Sequence, residues 1–486
     1  MRLIVQKYGG TSVGTPERIR NVAQRIVETQ SEGCRVVAVI SAMAGVTDEL
    51  IKLAQQMSPD PSKRELDVLL ATGEHAASAL IAMAVNALGA RAISLTGAQA
   101  GILTDPTHLK ARIANISPRQ IHELLADDYI VIVAGFQGQN AEGETTTLGR
   151  GGSDLTAIAL AGALNADACQ IFTDVDGVFT CDPRVVAEAK KLDEIAYDEL
   201  LEMAGAGSKI MQSRAVEFAK KFGVQFEVRS SLKRASGTIA KEETANMEDV
   251  VVRGVSVERN QAKLTISGVR DEAGIACSIF STIAASHIIV DMIVQSAPID
   301  GVTDISFTIH EDELEDARKI LMPVMNEIGA TQLRTTSGVA KLSVVGIGMR
   351  SHSGVAARLF ECLGEGGINI QLISTSEIKI AVIIDEKDVE RAARLTHQEF
   401  GLASLTRAAG AMHPLGRMVR DLRAIAIVNV CLFPHRSILE FDDGATSQAC
   451  KSAVHAAESL FQPRHFCRLR GCLLSGFCLG DFAIAL

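Results

Sequence analysis

Across residues 1–230, short apolar runs of strand character alternate with longer segments of helical period, and few architectures accept that order. The runs are Leu3–Gln6, Val36–Ile40, Ala92–Leu95, Ile130–Ala134, Gln170–Thr173 and Val224–Val228, with helical segments such as Pro16–Glu28 and Asp154–Leu164 between them. Strands separated by helices of ten or more residues predict an α/β domain with a largely parallel sheet. Such sheets bind ligands where loops leave the carboxyl ends of the strands, and those loops here are rich in Gly, Ser, Thr and Asp. The chain has 486 residues, 47% hydrophobic and 22% charged, which excludes a disordered chain and leaves material for several cores. A net charge of −10, no Trp and three Tyr argue against a nucleic-acid or anionic-membrane binder. No apolar run reaches the roughly 18 residues of a membrane helix, and Met1–Gln6 starts a strand with no signal-peptide core, so a cytoplasmic protein is expected.

Around Ser236–Asp249 the pattern lapses into Ser, Gly, Thr and Glu, a linker composition. An internal repeat follows. Ala262-Lys263-Leu264 and Gly268 recur 78 positions later as Ala340-Lys341-Leu342 and Gly346. At an offset of 80, Gly274-Ile275-Ala276 matches Gly354-Val355-Ala356, and Val290-Asp291 matches Ile370-Gln371. Each unit reads strand, Gly turn, helix, strand, strand, helix, so a duplicated small α/β unit is predicted.

The chemistry-bearing stretches lie in the first half. Lys7-Tyr8-Gly9-Gly10-Thr11-Ser12 follows the opening strand and precedes a helix at Pro16. Paired glycines let backbone N–H groups approach a phosphate, and a helix N-terminus adds a favourable dipole. The Lys precedes the glycines, so this is not a Walker A loop. A Lys at a strand end still suits phosphoryl transfer. Thr145–Asp154 is a second Gly-rich loop feeding a helix, with Arg150 as a planar carboxylate fork and Asp154 where a capping carboxylate also sits. Thr173-Asp174-Val175-Asp176-Gly177 puts acidic residues after a strand, suited to a ribose or hydrated Mg²⁺, although Asp-Gly also makes a plain turn. Glu74 and Ser41 are further candidates that would singly pass for cap or surface residues, and His75 reads as a helix-start histidine. Cys34, Cys169, Cys181, Cys277 and Cys362 read as reduced core thiols.

Together these stretches resemble the aspartate kinases of the amino-acid kinase superfamily. The resemblance runs through Lys7–Val13, Ser41–Met43 with Thr47–Leu50, Ala71–Glu74, Ala134–Gly138, Thr146–Asp154, Thr173–Arg184 and Ser374–Glu377. It implies an amino-acid kinase fold, a mainly parallel sheet sandwiched by helices, over 1–245. Two ferredoxin-like ACT domains would follow at 250–335 and 336–405, the first threaded into the second. The implied reaction is ATP-dependent phosphorylation of the L-aspartate side chain to 4-phospho-L-aspartate, which leads to lysine, threonine and methionine.

Matched by motif, Lys7 would meet the transferring phosphoryl and Asp154 would hold Lys7. Gly9, Gly10, Thr11 and Ser12 would lie on the phosphates. Glu74 and Arg150 would clamp the amino and carboxylate groups of aspartate, with Ser41 and Thr47 nearby. Thr173, Asp174, Phe179, Arg184 and Lys209 would line the site for ATP with Mg²⁺. Asp271, Gly274, Ala276, Gln295, Val355, Asn369, Ile370, Thr375, Ser376 and Glu377 fall on positions for lysine or threonine as effectors. A homo-oligomer, or assembly with a shorter regulatory subunit, is implied through the ACT units.

Two departures stand out. Ile289 replaces the family's usual Asn, which puts one effector site in question. The tail 406–486, with clustered Cys, has no family counterpart and no zinc spacing, and reads as a non-functional extension. Two other readings stay open on the residues: a kinase for glutamate, N-acetylglutamate or a nucleotide, and a non-catalytic amino-acid sensor.

Overall fold

The computed structural model describes residues 1–205, 211–242, 244, 251–350 and 352–403. Lys209 and the tail 406–486 lie outside the described residues.

The first half is built from β1 (Arg2–Tyr8), α1 (Pro16–Ser31), β2 (Cys34–Ile40), α2 (Val46–Met57), α3 (Lys63–Ala87), β3 (Ala92–Leu95), β4 (Ile102–Thr104), β5 (Ile113–Ile116) and α4 (Arg119–Ala126). It continues through β6 (Ile130–Ala134), β7 (Gln137–Gln139), β8 (Thr145–Thr147), α5 (Gly152–Ala163), β9 (Ala168–Thr173), β10 (Glu194–Ala196), α6 (Tyr197–Gly205), α7 (Ser213–Phe222), β11 (Phe226–Ser230) and β12 (Thr238–Lys241). Eight strands form one sheet in the order β10-β12-β11-β9-β1-β2-β6-β3. Every neighbouring pair is parallel except β11 with β12. The chain moves outward from β1 to β2, and later to β9 on the other side. That makes β1 the switch point, where a parallel sheet opens a crevice at its carboxyl edge.

Helices cover both faces. Val5, Val37 and Val39 pack on α5 with Leu155 and Ile158, whereas Tyr8, Val36 and Ala38 pack on α1 and α3 with Ile26 and Ile81. The alternation follows from the two-residue period of a strand. A second sheet, in the order β5-β4-β7-β8, was not foreseen. Its strands are three or four residues long and carry Thr, Gln and Gly, too short for alternation to register. Helix α3 has the length and hydropathy to cross a bilayer, unlike the apolar runs judged by sequence, but half of it is buried inside the domain.

Strand β11 begins two residues later than expected. Gly223 caps α7 with φ +64, and the Val224 N–H donates to the Ala219 carbonyl at 2.9 Å, so Val224 is spent on ending the helix.

The second half contains β13 (Gly254–Arg270), α8 (Ile275–Ala285), β14 (Ile293–Gln295), β15 (Val302–His310), α9 (Leu314–Ile328), β16 (Gln332–Val345), α10 (Val355–Glu365), β17 (Leu372–Thr375), β18 (Lys379–Asp385) and α11 (Val389–Glu399). One six-stranded sheet joins both units in the order β14-β15-β13-β16-β18-β17. Long β13 and β16 run antiparallel, with Gly254 opposite Val345 and Ser267 opposite Gln332. The start of β13 therefore belongs to the second unit's core, where Val252 and Val255 pack with Ala340, Leu342 and Leu359. Gly274 (φ +99) and Gly354 (φ +93) cap α8 and α10 in the same left-handed conformation.

Of the five cysteines described, all are free. Cys34, Cys169 and Cys181 are buried, but Cys277 is exposed on α8 and Cys362 is half-buried, so the core reading fails for Cys277.

Candidate active site

Strand alternation sends Lys7 to the face that Val5 shares with α5. Its Nζ lies 2.6 Å from Asp154 Oδ1, with 10% and 12% of the two side chains exposed. Asp154 is the third residue of α5, which starts from Gly151 at φ +72. A first-turn carboxylate is favoured by the helix dipole, yet Gly151 receives no side-chain cap. Lys7 takes the carboxylate instead.

The loop after β1 turns on Gly9 and Gly10. A Cβ at Gly10 would stand 2.8 Å from the Ala42 carbonyl oxygen, so glycine lets this loop lie against the one after β2. The Gly9 N–H donates to the Phe172 carbonyl at 3.2 Å and the Ser12 N–H to the Gly9 carbonyl at 2.9 Å. Two of the amides expected to face phosphate are thus already engaged. The Ser12 hydroxyl is buried without a protein partner. It lines a cavity of about 270 Å³ with Arg18, Arg25, Ser231 and Arg234. Thr11 is exposed, and its carbonyl accepts from Arg18.

Glu74 is neither a cap nor a surface residue. Helix α3 starts at Lys63, which places Glu74 and His75 in its middle. Glu74 is 4% exposed; its Oε1 accepts the Ala42 N–H at 3.0 Å, and Oε2 has no partner. Burial pushes its pKa up to about 7. Gly73 lets α3 approach, since a Cβ there would be 3.0 Å from Ala42 Cβ and 3.4 Å from Val46 Cγ1. That contact brings the start of α2, with half-buried Thr47, and the loop carrying half-buried Ser41 beside Glu74.

Arg150 is exposed at the tip of the second Gly-rich loop and makes no ion pair with the described residues. The loop beneath it is held firmly. The Leu148 N–H donates to the Phe136 carbonyl at 2.8 Å, and Arg214 Nη1 donates to the Leu148 carbonyl at 2.8 Å. Phe136 itself sits at φ +69, a costly conformation for an aromatic residue.

On the other side of β1, half-buried Thr173 ends β9 and donates its hydroxyl to exposed Asp174 at 3.1 Å. Asp176 pairs with Lys233 at 2.5 Å, and Gly177 (φ +149) passes against Thr238, so the Asp-Gly pair makes a braced turn. Half-buried Phe179 bridges to Lys191. The Arg184 fork is folded back on Asp182, at 2.7 Å for Nη2 to Oδ2, and holds that carboxyl below its usual range.

The amino acid kinase family model matches residues 2–230, and an ACT domain model matches 264–322 and 342–400. The aspartate kinase of Pseudomonas fluorescens (strain SBW25) is 51% identical over 405 residues, 83% of this chain and 98% of that protein. The chain belongs to the aspartate kinase family. It is a kinase with a C-terminal pair of ACT domains. Among solved structures, E. coli aspartokinase III in complex with aspartate and ADP, in its R-state, is 25% identical with a TM-score of 0.67. The same enzyme with lysine and aspartate, in its T-state, is 26% identical with a TM-score of 0.67. Each match covers 82% of this chain and 99% of the other.

The ACT half adjoins the catalytic half. Cys181 and Val186 pack inside the second ACT core, and the Val255 N–H donates to the Thr180 carbonyl at 2.8 Å. Glu199 on α6 accepts from the Ile347 N–H at 3.1 Å and pairs with Arg253 at 3.3 Å. Of the effector positions, Asp271, Gly274, Ala276, Gln295, Asn369, Thr375, Ser376 and Glu377 are exposed in the single chain, Ile370 is half-buried, and Glu377 pairs with Arg350 at 3.0 Å. The Val355 side chain is buried in the second ACT core, which leaves only its backbone for a ligand. Ile289 is 78% exposed.

Three groups of residues escaped sequence reasoning: Asp67 with His108 and Thr147, Arg25 over the Phe172 ring, and Thr180 with His397. A buried polar side chain leaves no periodic signal of its own, so only Asp67 offered one, as an acid seven positions before Glu74 on the same helix face.

Proposed function

We propose that this aspartate kinase transfers the γ-phosphoryl group of ATP to the side-chain carboxylate of L-aspartate, giving 4-phospho-L-aspartate for lysine, threonine and methionine biosynthesis. The observation that carries this reading is Glu74, a buried carboxylate with one oxygen unpaired, set against the loop whose Ser41 N–H donates to the carbonyl of Tyr8, the residue after Lys7. An unpaired buried carboxylate oxygen costs free energy until a donor arrives, and the ammonium of an α-amino acid is such a donor. Arg150, exposed on a braced loop, supplies the complementary fork for the α-carboxylate.

A substrate carboxylate is already a competent nucleophile, so the site needs no general base. It must position two anions and neutralise the charge that spreads over the transferring phosphoryl. Lys7 donates to that phosphoryl, and Asp154 keeps the ammonium aimed and charged. Ser41 and Thr47 position the substrate. Gly9, Gly10, Thr11 and Ser12 border the phosphates, with the Ser12 hydroxyl and the Arg-lined cavity suited to anionic oxygens. Thr173, Asp174, Phe179 and Arg184 line the nucleotide, Arg184 after release from Asp182. Among the described residues no cluster of three or more His, Cys, Asp or Glu forms a metal cage. Mg²⁺ would come with ATP and supply charge neutralisation at the phosphates, with exposed Asp174 after β9 placed to meet its hydration shell.

Lysine and threonine act as effectors at the exposed ACT positions, which become a site when a second ACT surface, from another copy or a shorter regulatory subunit, covers them. The E. coli relative solved with lysine supports the first effector. The experiment is ATP turnover with L-aspartate, trapping the acyl phosphate with hydroxylamine, with and without lysine plus threonine. Aspartate-dependent hydroxamate that glutamate does not replace is the expected result. Turnover with glutamate, or none with aspartate, overturns the reading.

A further inference from the structure

Asp67 lies in α3, seven residues before Glu74, and is 0% exposed. Its carboxylate receives three donors from the β4–β5 segment and the end of β8. Oδ2 is 2.7 Å from His108 Nδ1, the Leu109 N–H reaches both oxygens at 3.1 and 3.2 Å, and the Thr147 hydroxyl donates to Oδ1. Leu109 is held at φ +67, a conformation a branched apolar residue adopts only under constraint. Thr147 ends β8, three positions before Arg150. The same helix face is fastened to the β7–β8 hairpin at two more points: Arg64 Nε donates to Glu144 at 2.9 Å, and Gln137 Nε2 donates to the Ala71 carbonyl at 3.2 Å.

We infer that Asp67 is a positioning residue for substrate selection, a buried tie that fixes the spacing between Glu74 on α3 and Arg150 beyond β8. The inference rests on the proposed roles of those two residues as the clamp for aspartate. A clamp for a small zwitterion needs its two charged arms at one separation, and the arms here belong to different layers of the domain. Helix α3 and the small sheet meet through a network whose central acceptor is Asp67. A hydrophobic residue in its place would fill the volume but leave the Leu109 N–H and the Thr147 hydroxyl without their partner, freeing the loop to shift.

The test compares wild type with Asp67→Asn and Thr147→Val in the full-length enzyme, reading kcat and KM for aspartate and ATP separately, together with the melting temperature. Asp67→Asn keeps the shape and one acceptor oxygen, and Thr147→Val removes only the arm toward Arg150. The expected result is a KM for aspartate raised at least tenfold in Asp67→Asn and about fivefold in Thr147→Val, with the KM for ATP within twofold of wild type in both. An unchanged aspartate KM in Thr147→Val, whether or not Asp67→Asn folds, overturns the inference. So does a parallel loss for both substrates that tracks a lowered melting temperature. Wild type without aspartate-dependent turnover overturns the underlying assignment and the inference together, whereas active wild type with indifferent variants overturns the inference alone.

Discussion

Thr180 Oγ1 lies 2.9 Å from His397 Nε2, and this buried contact joins the segment carrying Phe179 and Arg184 to α11 of the regulatory half. Burial lowers the pKa of His397, so the contact with the Thr180 hydroxyl is a hydrogen bond of the neutral ring. The Thr180 hydroxyl also accepts the Lys190 N–H at 3.0 Å, so one side chain ties the nucleotide-side segment to both halves. An effector that moves α11 relative to the catalytic sheet must break or strain this contact.

That relationship predicts uncoupling. In His397→Leu and Thr180→Val the lysine-plus-threonine concentration for half-inhibition rises about fivefold or more, the lower end of ordinary allosteric coupling energies. Uninhibited kcat stays within threefold. Inhibition curves that superimpose on wild type would show the contact to be structural only.

Removing the substrate-side carboxylate weakens aspartate selectively. Glu74→Gln keeps the Ala42 N–H contact but cannot meet an ammonium with full charge, so the KM for aspartate rises about 30-fold, from the ~2 kcal/mol lower bound for breaking a buried charge pair. The KM for ATP serves as the internal control and stays unchanged.

Acid acts on the same group. With its pKa raised to about 7, Glu74 is protonated below that pH and offers no anion. The KM for aspartate therefore climbs as pH falls from 8 to 6, and aspartate binding releases a proton near pH 7. Isothermal titration in two buffers of different ionisation enthalpy reads that proton directly. For folding the sign is opposite: a carboxyl whose folded pKa exceeds its unfolded value costs stability as pH rises from about 4.5 through 7.

Lys7 and Asp154 are predicted to act on kcat. Lys7→Ala lowers kcat by about 10²–10³, the usual loss of one preorganised donor to developing charge. Asp154→Asn, which leaves Lys7 in place but without its counter-charge, loses less. Equal losses in kcat and binding of both substrates would instead point to collapse of the site.

Gly10→Ala tests the close approach of the two loops. The added Cβ would be 2.8 Å from the Ala42 carbonyl oxygen, backbone that cannot rotate away. Overpacking of this kind costs about 1–3 kcal/mol, visible in chemical denaturation. Gly143→Ala, whose nearest neighbour is the tip of the Gln139 side chain at 3.2 Å, is predicted to cost less than Gly10→Ala despite φ +85.

Much of the architecture was legible because it rests on periodicity. Ile130–Ala134 and Ala92–Leu95 are strands with the expected bounds, and the duplicated units keep their helix-capping glycines at 274 and 354. The other repeated pair, Gly268 and Gly346, turned out to have two different causes. Gly268 sits at φ +67 where β13 shifts register, whereas Gly346 leaves no room for a side chain beside the Val251 carbonyl. Matching letters were visible along the chain, but the reasons for them were not.

The sequence by itself determined the alternating layers and the Gly-rich loops at the strand ends, because strand period and loop composition are local properties, whereas the pairing of Lys7 with Asp154 followed only from the family resemblance. Only the tertiary structure decided that Glu74 lies in mid-helix with an unpaired oxygen, that Arg184 rests on Asp182, and that Asp67 and Thr180 anchor walls far apart in the chain. Those facts depend on which surfaces meet across long sequence separations. Burial, which sets the protonation of Glu74 and the need of every enclosed donor for an acceptor, exists only once the surfaces have met.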